Sequence, residues 1–308
     1  MTVNETLAQA SNAMVYGAIT TFTSSMVAYS ISLAKGRRLE TLETSAQRTN
    51  SSHQVRMGST QTLIKPAVST SVSVDGDLGL GRRAGNIGLA LTWLGTILLG
   101  SALLFRGLSA GRLPIGNMYE FSITGALAFT GAYLGALRKY DLRWLGLLVS
   151  ISVLLTLGTA VAVLYRPSAP LVPALKSTWL VIHVSAAIIS GGVFLLANVI
   201  AAAYLYLDRM ETMGERKAWA KRLPSLEVLD QLSYRLVAFV FPLWTFAVIA
   251  GAIWAESAWG RYWGWDPKET WAFITWVAYA AYLHARVTIG WRGRRAAWLC
   301  LFAGSTFL

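Results

Sequence analysis

The 308-residue sequence has few charged side chains. Asp, Glu, Lys and Arg make up 14% of it, against 55% hydrophobic residues. Soluble domains carry about 25% charged residues, so this chain has too little polar surface to cover an exterior that faces water. The charges are unbalanced, with 27 Lys and Arg against 15 Asp and Glu. Such an excess can mark a nucleic-acid-binding protein, but in a membrane protein it is typical of cytoplasmic loops. We therefore expect a lipid bilayer, and no nucleic acid, as a partner.

Cysteine is almost absent as well. The sequence has a single cysteine, Cys300, which excludes a disulfide framework and a C-x-x-C redox pair within the chain. No Lys or Arg precedes the first apolar run, so we expect no cleavable signal peptide. No glycine pattern typical of a phosphate-binding loop is present.

Long apolar runs are what the sequence has in abundance. A helix needs roughly 20 mostly apolar residues to cross the hydrocarbon layer of a membrane. We predict an all-α, polytopic membrane bundle of about eight spans: 13–34, 87–105, 118–137, 144–165, 179–207, 236–255, 271–289 and 296–308. The first run is the least apolar, because five Thr and Ser residues lie in its middle, at 20–25. The last is only about 20 Å long as a helix, so we expect the natural chain to continue past Leu308.

The distribution of Lys and Arg predicts the orientation. With the N-terminus outside, the loops that face the cytoplasm hold twenty Lys and Arg, the opposite loops hold six, and Arg286 lies within a span. This asymmetry favours that topology under the positive-inside rule. Between the first two spans, 13 of the residues 41–73 are Ser or Thr. We predict an N-terminal transmembrane helix (1–35), a flexible Ser/Thr-rich cytoplasmic loop (36–84) and a transmembrane core (85–308).

The segment 258–271, "AWGRYWGWDPKETW", concentrates tryptophans on the predicted outer side. We name residues 256–271 the Trp-rich loop. Trp and Tyr are common at membrane interfaces, and "DPKE" is a good helix start, with Asp266 as N-cap, Pro267 next and Glu269 three residues after the cap. An interfacial belt does not require this close spacing, however. The alternative is a site for a flat ligand with charged edges, formed by Trp259, Arg261, Tyr262, Trp263, Trp265, Asp266, Lys268 and Trp271.

Two of the three histidines lie in predicted spans, where an imidazole is costly or functional. His183 is near the outer end of the fifth span, at the level of the Trp-rich loop. His284 follows Pro267 by seventeen residues, which is about 26 Å along a helix. The two side chains cannot bind one metal ion. Each is either a hydrogen-bonding group between helices or an axial ligand of a haem iron, a role for which imidazole is a standard choice.

The quoted residues resemble a known family. "WGRYWGWDPKETW" and the following "AFITWVAYAAYLHARVTIGWRGRRAAW" are similar to the tryptophan-rich (WWD) haem-handling signature of the CcsA (ResC) proteins of System II cytochrome c biogenesis. "LKSTWLVIHV" and "RLPIGNMYEF" look like two further family segments in the right order. The resemblance covers residues 87–308. The CcmC and CcmF proteins share the tryptophan core but usually not "DPKETW".

The resemblance implies that haem b enters from the cytoplasmic side of a bacterial plasma membrane and moves to the outer face. Its vinyl groups are joined there to the thiols of an apocytochrome c C-x-x-C-H motif. His183 would be an external haem ligand, and Trp259, Trp263, Trp265 and Asp266 would contact the haem. His284 would bind a second haem, whose other axial ligand comes from a ResB/Ccs1-type membrane subunit. The family also has a second external histidine after a final span. With its partner, such a protein has holocytochrome c synthetase activity.

Two other functions stay open at this point. A binding-only haem chaperone of the CcmC type shares every feature except thioether formation. An unrelated polytopic transporter would use the aromatic residues only as a belt, but it would need polar or charged groups near mid-bilayer, and these are scarce in the predicted spans.

Overall fold

The computed structural model describes residues 4–54, 71–170, 175–214 and 224–307. Within these ranges the chain is all-helical and contains no β-strand. The helices are α1 (Glu5–Gln54), α2 (Ser71–Ala110), α3 (Met118–Ala136), α4 (Gly146–Ala162), α5 (Thr178–Thr212), α6 (Leu226–Trp259), α7 (Pro267–Val287) and α8 (Arg294–Ser305), with a short 3₁₀ turn at Arg143–Leu145 before α4. The predicted all-α, polytopic membrane architecture is confirmed.

Each predicted span coincides with one of these helices. Among the described residues, four helices are long and apolar enough to cross a membrane: Leu80–Ala110, Arg143–Ala162, Thr178–Thr212 and Leu226–Trp259. The helices α3 and α8 are shorter than these, and α7 carries a polar first turn and two buried tyrosines.

Helix α1 accommodates its polar residues in two ways. Hydroxyls on its outer surface donate to carbonyls of the same helix three or four residues earlier, which satisfies them without a partner helix. Ser25 instead is fully buried and donates to the Gly88 carbonyl of α2 at 2.9 Å. Tyr29, one turn further on, is buried as well, and its hydroxyl lies 3.4 Å from Thr92. Ser25 and Tyr29 therefore attach α1 to α2, although they make α1 less apolar as an isolated span.

The segment predicted as a loop, 36–84, differs from the prediction at both ends. Helix α1 continues into it as far as Gln54, and α2 begins within it at Ser71. Extending an existing helix by one residue is far easier than starting a new one, and residues 37–48 are mostly good helix formers. Residues 55–70 lie outside the described residues, so the flexibility of this segment stays a prediction.

Helix α5 is the centre of the C-terminal half and packs against α3, α6 and α8. Its glycine pair allows two neighbours to approach closely. A Cβ at Gly192 would lie 2.8 Å from the α3 backbone at Ala128, and one at Gly191 would collide with the Phe307 ring. Small residues inside membrane helices allow this kind of close approach. This packing fixes the position of α5, and α6, which leads into the Trp-rich loop, packs against it.

Candidate functional site

The start of α7 fixes one end of the Trp-rich loop. Asp266 Oδ1 accepts a hydrogen bond from the Glu269 amide at 2.9 Å, and Glu269 Oε2 accepts one from the Asp266 amide at 3.4 Å. Together with Pro267 at the first helical position, this is the predicted capping box. Glu269 Oε2 also accepts from the Gly264 amide at 2.6 Å. The predicted cap is confirmed, and Asp266 uses one carboxylate oxygen in it.

Only the middle of the Trp-rich loop is irregular, because α6 continues to Trp259 and α7 begins at Pro267. Gly260 ends α6 in the left-handed conformation, with φ of 69°. Trp265 also has a positive φ, 57°, and it is the one non-glycine residue of the described chain that does. A bulky side chain in this conformation costs about 1–2 kcal/mol. The cap on α7 holds the backbone in this strained turn, which leaves the Trp265 indole largely exposed.

The two central tryptophans stand on an aromatic row that runs along α7. Trp263 and Trp265 meet edge to face with ring centroids 5.7 Å apart, and each contacts Phe273 edge to face. Phe273 in turn lies parallel to Trp276 at 6.3 Å. The Trp276 indole donates to Thr245 Oγ1 of α6 at 2.9 Å, so the row is tied to a second helix.

The loop leaves much of its aromatic surface uncovered. Trp265 is 66% exposed, and Trp259, Tyr262 and Trp271 are each at least half exposed. Trp263 is more buried, and its Nε1 has no hydrogen-bond partner among the described residues. A buried indole N–H without a partner is unfavourable. The loop is therefore an open apolar shelf with an unused donor at its base.

His183 lies on the side of α5 that faces α6, one turn inside the loop end of the bundle. Its Nδ1 is 2.7 Å from the Ala247 carbonyl oxygen. A Cβ at Gly251 would lie 2.7 Å from the imidazole ring, so the glycine makes the room that the ring occupies. The ring is parallel to the Trp254 indole at 6.3 Å between centroids, and Trp254 meets Trp259 at 4.8 Å.

The hydrogen bond to Ala247 determines which nitrogen of His183 is free. A carbonyl oxygen can only accept, so Nδ1 carries the proton and donates it. In the neutral ring Nε2 then keeps its lone pair. Histidines that bind metals almost always donate their other ring N–H to a carbonyl or carboxylate in this way. The arrangement suits axial ligation of an iron by Nε2.

The cationic residues of the loop differ in their surroundings. Arg261 lies 3.9 Å from Glu269 Oε1, and its guanidinium occupies the space beside Gly264. Glu269 Oε1 itself accepts no hydrogen bond among the described residues. Lys268 is exposed on the first turn of α7. Both cations are available at the edge of the shelf, with Arg261 partly neutralised.

His284 lies at the other end of α7. The helix is continuous from Pro267 to Val287, so His284 is about 26 Å from the loop along its axis. The side chain is exposed, and its Nδ1 lies 3.4 Å from Thr288 Oγ1. Over the described part of the chain, no group of three or more His, Cys, Asp and Glu residues could hold a metal ion. His183 and His284 are therefore two separate candidate ligands, one near each end of the bundle.

The structure divides the predicted site residues into two groups and adds others. His183 and Trp259 meet through Trp254, whereas Trp263 and Trp265 meet on Phe273; the prediction had placed them on one surface. Trp254, Gly251 and Ala247 were missed. Their height was predictable, since α5 and α6 are antiparallel neighbours and residues near the loop end of α6 lie at the height of His183. Which of them face His183 depends on how the two helices pack, and the sequence does not show that.

Comparison with known proteins places this arrangement in a family. Residues 115–308 match the family model "Cytochrome C assembly protein". The chain belongs to this family. The match contains both histidines and the whole Trp-rich loop.

Curated relatives agree with the family match. The chain is 40% identical to the cytochrome c biogenesis protein CcsA of Guillardia theta over 224 residues, covering 66% of this chain and 72% of that protein. It is 36% identical to CcsA of Synechocystis over 256 residues, which is 66% and 75% of the two chains. For a Synechococcus CcsA the identity is 34% over 308 residues, 79% and 86% of the two chains. The resemblance to CcsA is confirmed, and the chain has a role in cytochrome c biogenesis.

A solved structure shares the fold. The chain named "Cytochrome c Heme Lyase CcmF" superposes with a TM-score of 0.56 at 15% sequence identity. The match covers all of this chain and 47% of the other, so this chain spans about half the length of that protein. At this identity the similarity concerns the fold alone.

Proposed function

We propose that the protein carries haem b from the cytoplasmic side of the membrane to its outer face and presents it for covalent attachment to apocytochrome c. The observation that carries the proposal is the state of His183. Its imidazole is held by the Ala247 carbonyl with Nε2 left free, parallel to Trp254 and next to an exposed aromatic loop. Family membership supplies the class of substrate.

The residues present fit a porphyrin. A macrocycle is flat and apolar with two carboxylates at one edge, and the exposed rings of Trp259 and Trp265 offer flat apolar surface of matching kind. Arg261 and Lys268 at the edge of the shelf can make charge-assisted hydrogen bonds with the propionates. The free N–H of Trp263 is a further donor. Haem supplies the iron and the vinyl groups, and this chain supplies orientation.

The open form of the shelf fits a presenting role. A site that stores haem would cover it, but here four of the five large rings of the loop are at least half exposed, all except that of Trp263. His183 and the rings of the loop would hold the haem, and the haem would supply the vinyl groups to which the two thiols of a C-x-x-C-H motif add. The apocytochrome is therefore expected to approach at the loop, on the outer face that the positive-inside rule predicts.

His284 supports a second haem station on the cytoplasmic half. An exposed imidazole on a helix that faces lipid is unfavourable, and the neighbouring exposed residues of α7, Val277 and Val287, are apolar. A ResB/Ccs1-type subunit that packs on this face would cover the imidazole and supply the other axial ligand. In a bacterium the complex would lie in the plasma membrane.

The test is coexpression of the full chain with a ResB-type partner and a C-x-x-C-H reporter. We expect covalent haem on the reporter, low-spin haem b in the purified complex, and loss of both from His183→Gly. Added imidazole should restore the His183→Gly variant, because it replaces the missing ligand without repairing a folding defect. Unchanged reporter haem in His183→Gly would contradict the proposal.

The binding-only chaperone is distinguished by the same experiment. It predicts normal haem in the purified chain and no covalent haem on the reporter. For the loop, Trp263→Ala/Trp265→Ala should lower reporter haem by about tenfold, as expected for losing two ring contacts. Trp298→Ala is the matched control, since Trp298 is 61% exposed on α8. Equal effects of both would favour the belt interpretation.

A further inference from the structure

A cavity of about 620 Å³ lies at the end of the bundle opposite to the Trp-rich loop, where α6 and α8 begin and α7 ends. Its lining includes Tyr204, Asp230, Tyr234, Arg235, Arg286 and Arg292. None of these residues belongs to the haem site proposed above. We name this cavity the arginine pocket.

The floor of the arginine pocket is a neutralised ion pair. Arg286 NH1 lies 2.6 Å from Asp230 Oδ1, and both side chains are about nine-tenths buried. The same carboxylate oxygen accepts from the Gly293 amide at 3.0 Å, and the Arg286 guanidinium lies over the Tyr234 ring. The pair joins α6, α7 and the start of α8. Because Arg286 is already paired, it adds no net charge to the pocket.

The rim of the pocket is positive. Arg235 and Arg292 are both exposed. Arg235 donates to the Tyr140 hydroxyl at 3.1 Å, and over the described chain neither arginine forms an ion pair with an acidic side chain. Glu227 is the one acidic residue on the rim, and it has a partner of its own. With Asp230 paired to Arg286, the two rim guanidinium groups outnumber the single rim carboxylate, so the rim carries a net positive charge.

We propose that the arginine pocket binds the phosphate group of an anionic phospholipid from the cytoplasmic leaflet. Arginine is suited to phosphate because its planar fork donates two parallel hydrogen bonds. The cavity has the size of a small-molecule site, which exceeds a bare phosphate and suits a headgroup with its glycerol. Leu226 adds apolar lining at the start of α6. Basic pockets between membrane helices on the cytoplasmic side bind such headgroups.

The experiment uses the full-length protein, purified in non-ionic detergent and stripped of lipid. Binding of phosphatidylglycerol, phosphatidylcholine and inorganic phosphate is measured by native mass spectrometry and by the shift in thermal unfolding. The test variant is Arg235→Gln/Arg292→Gln, which leaves the Asp230–Arg286 pair intact. The control is Arg138→Gln/Arg295→Gln, two exposed arginines at the same end of the bundle that do not line the pocket.

We expect phosphatidylglycerol to bind the wild-type protein in preference to phosphatidylcholine. The test variant should weaken phosphatidylglycerol binding by roughly thirtyfold, about fivefold for each arginine near a lipid surface, and the control should change it less than twofold. Equal losses in both variants would mean general attraction to a basic surface and would overturn the proposal. The proposal would also be overturned if inorganic phosphate raised the unfolding temperature as much as the lipid does. It would be overturned too if the test variant lost haem and kept its lipid.

Discussion

Helices α3 and α7 begin with the same local design and use it differently. In each, an acidic or amide N-cap accepts from the amide of a glutamate three residues later: Asn117 with Glu120, and Asp266 with Glu269. Glu120 is fully buried and accepts hydrogen bonds from Arg106, from Arg112 and from the Gly116 amide. Within the described ranges, one oxygen of Glu269 accepts no hydrogen bond, and Arg261 lies 3.9 Å from it.

The difference separates a structural cluster from a candidate binding site. Glu120 accepts hydrogen bonds from both arginines, and the Arg106 guanidinium also lies over the buried Tyr119 ring. That region joins the end of α2 to the start of α3, and its carboxylate and both arginines are bound to one another. Around Glu269 the polar capacity is incomplete and the neighbouring rings are exposed. The start of α7 is held firmly in place but leaves hydrogen-bonding groups without partners among the described residues. This combination favours the Trp-rich loop as the functional site.

The largest expected effect comes from Glu120→Ala. It leaves Arg106 buried without its carboxylate, and breaking a buried ion pair in this way costs about 3–5 kcal/mol. We expect a much lower yield of folded protein and a lower unfolding temperature in detergent. Normal stability would contradict the assignment of this cluster as structural.

Gly251→Val should come next. The valine side chain would occupy the space of the His183 ring, and forcing extra atoms into a packed interface costs about 1–3 kcal/mol. We expect haem to be lost from the purified protein at temperatures where it remains folded. Gly158→Val is the control, because nothing lies within 4 Å of a Cβ at Gly158. Equal haem in the two variants would exclude His183 as a ligand held by this contact.

Glu269→Gln should have a smaller effect on stability than Glu120→Ala. Glutamine can still occupy the third position of a capping box, so we expect a loss of about 1 kcal/mol or less from the cap. Measured by thermal unfolding beside Glu120→Ala, it tests the comparison directly. A loss as large as that of Glu120→Ala would show that the two clusters are equivalent.

The smallest expected effect has the opposite sign. Trp265→Gly removes the strain of a bulky residue at positive φ and should stabilise the protein by up to about 1 kcal/mol, while haem on the reporter falls. Thermal unfolding and reporter haem are measured on the same preparations. A variant that loses stability would mean that the exposed indole contributes more by packing on Phe273 than the turn costs.

Local features of this protein were predictable and non-local ones were not. The eight helices follow from long apolar runs, and the α7 cap follows from four consecutive residues, 266–269. The position of His183 near the loop follows from its place in a span. The Ala247 and Gly251 contacts depend on how α5 and α6 pack, and no local pattern encodes that register. The Arg106–Glu120 pair was missed for the same reason, and the ends of α1 and α2 were missed because helix propagation overrides a Ser-rich composition.

The bond between His183 and Ala247 couples two helices at a distance that tolerates little movement. The imidazole belongs to α5, but its direction is set by a backbone carbonyl of α6 at 2.7 Å. A displacement of one helix along the other by a single residue is about 1.5 Å, enough to break that contact and release the ring to rotate. The direction in which Nε2 points thus depends on the α5–α6 register. Any partner or lipid that shifts these two helices therefore also turns the His183 imidazole.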